Sequence, residues 1–262
     1  MIFHFTGRWF AGIGAAFFAA LACAIAADPA SDLAASLRAK EEGSTFVRVR
    51  MQIGTGENHI LQLQIKSRVS NAASDIVYQV LFPKERKGEA VLLHRSGEKF
   101  SGAAFAPPNT IRPIASRQMN QPLFGSDLSC EDVIDNPFRW PQQAIVGTEA
   151  IDNTQCQILE SKPGKGHSSS YSSVKTWVDP RRLVPLRIEK YDNSGKVLRQ
   201  MNITRVLLDG NASLPADLKI YRPPGSVTEV TGSRIKRGVT YADTEFTPEG
   251  LKQLTAPPGS PQ

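Results

Sequence analysis

The sequence is poor in the groups that carry out chemistry. It has four histidines and three cysteines in 262 residues. His59, His94 and His167 stand at no familiar metal-ligand spacing with Cys, Asp or Glu. The patterns G-x-S-x-G, H-E-x-x-H and C-x-x-C are absent, which removes the linear signatures of serine hydrolases, zinc peptidases and dithiol redox enzymes. A catalytic triad can assemble from distant residues, so this weighs against catalysis without excluding it. Blocks of like charge are lacking as well. The 31 basic residues outnumber the 25 acidic ones but are scattered, as in Arg48/Arg50 and Lys66/Arg68, with no repeated interleaving of aromatics. Nucleic acid is a poor partner for that pattern, while weak attraction to an anionic membrane face stays open. No linker, internal repeat or composition break divides the chain.

The longest apolar run lies at the start. Arg8 precedes an uncharged stretch from Phe10 to Leu21, and small residues end in Ala24-Ile25-Ala26. This is the layout of a signal peptide over residues 1–26 with an A-x-A cleavage signal before Ala27. The run is shorter than the roughly 20 apolar residues a membrane-spanning helix needs. The expectation is an exported mature chain that does not span the membrane, with one domain over 27–254 and a flexible Pro/Gly/Ser-rich tail at 255–262. Leu21-Ala22-Cys23 loosely matches a lipobox, so lipidation of Cys23 is the lesser alternative. Export would leave Cys130 and Cys156 in an oxidising compartment. A disulfide between them is the expectation, and two separate buried thiols the alternative.

What the sequence does have is periodicity. Leu33 and Leu37, four apart, follow Asp28-Pro29 and precede Gly43, which predicts a capped, one-faced helix over 29–42. The period then becomes two. Val47, Val49 and Met51 alternate with Arg48, Arg50 and Gln52, and Leu61, Leu63 and Ile65 alternate with Gln62, Gln64 and Lys66. Further strands are predicted at 76–82, 90–94, 155–161, 173–178, 184–191, 196–206, 217–221 and 235–241, with Asp192-Asn193-Ser194-Gly195 as a hairpin turn. One wet face and one packed face imply an antiparallel, strongly bent sheet. The stretch from Pro107 to Pro122 reads as an irregular, lid-like crossover. The facing side chains Val47, Leu61, Leu63, Ile65, Val80 and Phe82 either fill a core or line an apolar hollow.

Two local features invite chemistry. Glu131 and Asp132 are adjacent carboxylates of the kind glycosidases pair, but Ser129-x-x-Asp132 also spells a capping box, and capping is the preferred reading. Gly164-Lys165-Gly166 fits no phosphate-loop spacing and reads as a solvated loop.

An ordered series of short motifs adds more. It comprises Phe105-Ala106-Pro107-Pro108, Ile111-Arg112-Pro113-Ile114, Phe124 through Asp132, Gly147-Thr148-Glu149, Cys156 through Glu160, Trp177-Val178-Asp179 and Pro185 through Asp192. In this series the chain resembles the outer-membrane lipoprotein-sorting protein family, the broader group related to the periplasmic carrier LolA. The resemblance implies a mainly β fold, an unclosed, strongly curved antiparallel β-barrel with covering helices. It also implies residence in the periplasm of a Gram-negative bacterium, no catalysis, no cofactor and no metal. Cargo would be lipid or lipoprotein acyl chains, exchanged with an inner-membrane transporter or an outer-membrane acceptor. Leu33 and Leu37 would help cover an apolar cavity contacted by Val47, Val49, Leu61, Leu63, Ile65, Val80 and Phe82. Phe124, Gly125, Ser126, Asp127, Ser129, Glu131 and Asp132 would form the cover-helix motif. The chain departs from the family at Cys130, where an aromatic residue, most often Tyr, is usual; Cys156 falls where members often carry Cys. The alternative reading is an accessory protein that binds an envelope transporter of the resistance-nodulation-division type.

Overall fold

A computed structural model describes Met1 and residues 28–54, 59–210 and 212–253. The expected signal peptide, the lipobox at Cys23 and the 255–262 tail lie outside the described residues, apart from Met1. Helix α1 (Pro29–Glu41) starts where Asp28 accepts a hydrogen bond from the Ala30 backbone N–H at 3.2 Å. Pro29 occupies the first turn, where its missing N–H has no partner to lose. Ala30, Leu33, Ala34 and Leu37 are its buried stripe.

The period-two segments form β1 (Gly43–Ile53), β2 (Ile60–Val69), β3 (Ala73–Phe82) and β4 (Ala90–Ser96). Two strands not read from the sequence follow, β5 (Lys99–Ala106) and β6 (Thr110–Ile114), the latter inside the stretch expected to be an irregular crossover. A crossover carrying the short helix α2 (Cys130–Ile134) leads to β7 (Gln142–Ile151), β8 (Thr154–Lys162), β9 (Ser173–Asp179), β10 (Val184–Tyr191), β11 (Val197–Asp209), β12 (Ala212–Arg222) and β13 (Ser226–Arg237). The thirteen strands make one sheet of two meanders, in the order β6-β5-β4-β3-β2-β1-β13-β12-β11-β10-β9-β8-β7. The meanders join where β1 pairs antiparallel with β13, from Thr45 opposite Arg237 to Ile53 opposite Thr228.

The expected strongly curved barrel is corrected by this topology. Among the described residues the chain forms an open antiparallel sheet with two α-helices, and its edge strands β6 and β7 lie at opposite ends of the order. The sheet does not have to curl on itself to bury its apolar residues, because separate segments cover them. On one face the crossover supplies Met119, Leu123, Leu128, Cys130 and Ile134, which pack on Val49, Met51, Leu61, Leu63, Val80 and Leu93. Leu33 and Leu37 of α1 pack apart from that cluster, with Phe138, Leu159 and Val178. On the other face, Phe246 and Leu251 from two 3-10 turns near the C-terminus cover Val77, Leu92 and Phe105.

Candidate functional site

The residues expected to line an apolar cavity fall into three environments. Val49, Leu61, Leu63 and Val80 are packed core under the crossover, with Val47 and Ile65 partly buried beside them. Leu33 and Leu37 belong to the α1 cluster. Phe82 is 49% exposed and sits opposite Gln62, so it projects from the face away from the crossover.

The expected cover-helix motif is the crossover itself, and polar groups pin it to the sheet. Asp127 accepts hydrogen bonds from Ser226 and, at 2.8 Å, from the Thr228 hydroxyl. Ser126 donates to the Leu123 carbonyl at 2.7 Å, closing the turn through Phe124 and Gly125. Ser129 and Asp132 form a reciprocal capping box: the Ser129 hydroxyl accepts from the Asp132 N–H, and Asp132 accepts from the Ser129 N–H at 2.7 Å. The same Asp132 carboxylate meets Lys190 Nζ and Arg199 Nε, each at 2.8 Å, and accepts from the Tyr171 hydroxyl at 2.7 Å. Burial alone would raise its pKa, but Lys190 and Arg199 hold it well below the usual carboxylate range. Glu131 accepts from the Ser169 hydroxyl at 2.6 Å and the Ser170 N–H at 2.7 Å.

These contacts bear on chemistry. A glycosidase pair needs both carboxyl groups open to the substrate, whereas Asp132 is enclosed by Lys190, Arg199 and Tyr171, and the buried Glu131 is engaged by Ser169 and Ser170. His167 is clamped between Asp135, 3.2 Å from Nε2, and Glu98 on Nδ1. The hydrogen bond to Asp135 leads the effects that push its pKa up to about 9, so neither ring nitrogen is free to take a proton from a nucleophile. Among the described residues, no group of three or more His, Cys, Asp or Glu could hold a metal ion.

The expected disulfide is also corrected. Cys130 and Cys156 are buried free thiols. Cys130 packs in the core beneath the crossover, and Cys156 packs with Trp177, Val184 and Leu186 in a separate cluster. The two thiols lie in different clusters and are not bridged. Burial, followed by the charge of Asp132, pushes the Cys130 thiol up to about 11, which leaves it unreactive.

Free space lies where the crossover meets the β6 edge. A groove of about 530 Å³ is bounded by Val91 of β4, Ala104 of β5, Arg112 and Ile114 of β6, and Leu123, Phe124 and Cys130 of the crossover. Val91, Ala104 and Arg112 stand side by side across three strands. Space opens there because β5 is built from small residues. A Cβ on Gly102 would come within 2.5 Å of the Leu92 carbonyl oxygen, so the strands pack closely at that point. Phe124 has φ +54°, a left-handed backbone that costs a residue with a side chain about 1–3 kcal/mol. The Arg86 guanidinium lies 5.9 Å from its ring. Alternation could not locate this groove, since it depends on which small residues lie under the crossover. The run Gly102-Ala103-Ala104 was the one available signal.

No helix among the described residues is long and apolar enough to cross a membrane. A family model described only as an uncharacterized protein matches residues 74–253. No curated protein matches the chain. Three solved structures are similar over nearly their whole length. A DUF1329 family protein from Desulfovibrio piger is 21% identical with a TM-score of 0.78, covering 86% of this chain and 100% of that one. An outer membrane lipoprotein-sorting protein domain from Vibrio parahaemolyticus is 19% identical with a TM-score of 0.76, covering 86% and 98%. A LolA superfamily protein from Nitrosomonas europaea is 20% identical with a TM-score of 0.66, covering 84% and 98%. At these identities the likeness is one of fold.

Proposed function

The chain belongs to the uncharacterized-protein family matched over its residues 74–253, and from that premise we propose that it is a non-enzymatic carrier of lipid-like apolar cargo in the periplasm of a Gram-negative bacterium. The observation that carries this reading is the groove of about 530 Å³ between the β4–β6 edge and the crossover, a volume within the range of small-ligand sites. Its floor of Val91, Ala104 and Ile114 suits an acyl chain, and the exposed Arg112 at the sheet edge suits the polar end of an amphiphile. The export signal read in the sequence and the fold shared with the LolA superfamily structure support the same reading. No bond is made or broken. Cargo is held by apolar burial at about 25 cal/mol per Å² removed from water, and it is released to whichever inner-membrane transporter or outer-membrane acceptor buries more of it.

Recovering the native chain from periplasm and analysing its lipid extract by mass spectrometry tests the proposal. Stoichiometric acyl lipid is the expected result. A chain that emerges empty and takes up no labelled fatty acid or lipoprotein contradicts it.

A further inference from the structure

The sheet face opposite the crossover carries a cluster of cations with no role in the groove. In β1 the side chains of Arg48 and Arg50 alternate with the core residues Val47, Val49 and Met51, so they project away from the crossover. Arg48 lies directly opposite Arg234 of β13, and Phe46 opposite Lys236. Like charges facing each other across an antiparallel pair destabilise it. Carboxylates on this side of the sheet are already paired: Glu229 with Lys219 at 2.8 Å, Asp217 with Arg205 at 2.7 Å, and Glu245 with Lys66, the cross-strand neighbour of Phe46, at 2.7 Å. Among the described residues, Arg48, Arg50, Arg234 and Lys236 enter none of the ion pairs found. The Arg48 Nε is buried with no hydrogen-bond partner, and its guanidinium lies over the fully buried Phe46 ring at 5.9 Å.

An apolar residue stands in the same field. Thr231, Arg50, Gln62 and Phe82 are successive cross-strand neighbours on β13, β1, β2 and β3. They therefore form one row on one face, ending in the half-exposed Phe82 ring. Cations around a protruding aromatic ring match an anionic bilayer surface, with the guanidinium groups at the phosphates and the ring at the acyl boundary. Single-stranded nucleic acid would call for several exposed rings as a stacking platform. Here Phe46 is buried and Phe82 is the one large hydrophobic side chain of the row that is exposed.

We propose that the uncovered strip of this face, formed by Arg48, Arg50, Arg234, Lys236 and Phe82 beside the C-terminal turns that cover β2 and β3, docks the protein on anionic phospholipid headgroups. The groove lies on the other face and stays accessible while the protein is docked. Vesicle flotation of the chain recovered from periplasm tests this. The probes are vesicles of phosphatidylglycerol and phosphatidylcholine in equal parts, and vesicles of phosphatidylcholine alone. The wild type should float with the first and not the second, and added salt should release it. The double variant Arg48→Gln, Arg234→Gln should bind the anionic vesicles about 30-fold more weakly, and the exposed-site variant Arg50→Gln about fivefold more weakly. Thermal midpoints should be unchanged or higher, because a repulsion has been removed, and fatty-acid uptake should be unaffected. Equal binding to both vesicle types, or undiminished binding by folded Arg50→Gln, overturns the proposal. Displacement from the vesicles by a single-stranded oligonucleotide at lower concentration would assign the face to nucleic acid and overturn it as well.

Discussion

Residues 131–135 and residues 122–125 belong to the same crossover, yet opposite kinds of chemistry hold them. Around Asp132 a carboxylate with a fully buried side chain meets two cations from β10 and β11 and the hydroxyl of Tyr171 from the β8–β9 connection. Around Phe124 the crossover offers apolar side chains to the first half of the sheet and leaves a groove. The polar end has one geometry, because moving it would strand buried charges in a medium that solvates them poorly. The apolar end has no such constraint and can exchange one apolar contact for another. A carrier needs both, a fixed anchor and a surface indifferent to the identity of its apolar partner.

The largest expected effect lies at the anchor. Asp132→Ala leaves Lys190 and Arg199 buried without their counter-ion and should cost about 3–5 kcal/mol of stability, measured by urea unfolding. A cost below about 1 kcal/mol would erase the contrast between the two ends. Leu37→Ala, in the separate α1 cluster, should cost about 2–5 kcal/mol through its cavity while leaving fatty-acid affinity unchanged. A loss of affinity on its own would show that α1 takes part in the groove. Ser129→Ala removes one half of the capping box and should cost about 1 kcal/mol by the same measurement.

The pH dependence sharpens the comparison further. His167 has a folded pKa raised from 6.5 to about 9. Its contribution is fully present below about pH 6.5 and is lost as pH rises through about 9. Asp132 is depressed from 3.8, so its contribution is present above about pH 4 and declines as pH falls below that. Thermal midpoints across the alkaline window should therefore slope downward in the wild type and flatten in His167→Gln. An unchanged slope in the variant would remove His167 from the anchoring set.

Strands β1 and β2 were legible because apolar side chains facing the crossover alternate with polar ones over Val47–Gln52 and Leu61–Lys66, although Gln64 and Lys66 are themselves buried. Strands β5 and β6 carry no such alternation and were not read. Strand β7 was not legible. As an edge strand it is exposed on both sides, with Ile145 and Val146 among its exposed residues, so no burial pattern is imposed on it. The capping role of Ser129 and Asp132 was readable from local spacing. The ion cluster around Asp132 was not, since Lys190 and Arg199 reach it from strands far along the chain. The same long-range placement explains why the alternating apolar residues became packed core. Their alternation marks a facing surface, and only the path of the crossover decides whether that surface is filled.

Titration of a fluorescent fatty acid into the wild type and into Ala104→Trp addresses the central claim most directly. Ala104 lies on the groove floor between Val91 and Arg112, and an indole there occupies the space assigned to cargo. The wild type should bind saturably, and the filled variant should bind at least tenfold more weakly with its thermal midpoint retained. Equal saturable binding by both proteins would contradict the assignment of cargo to this groove.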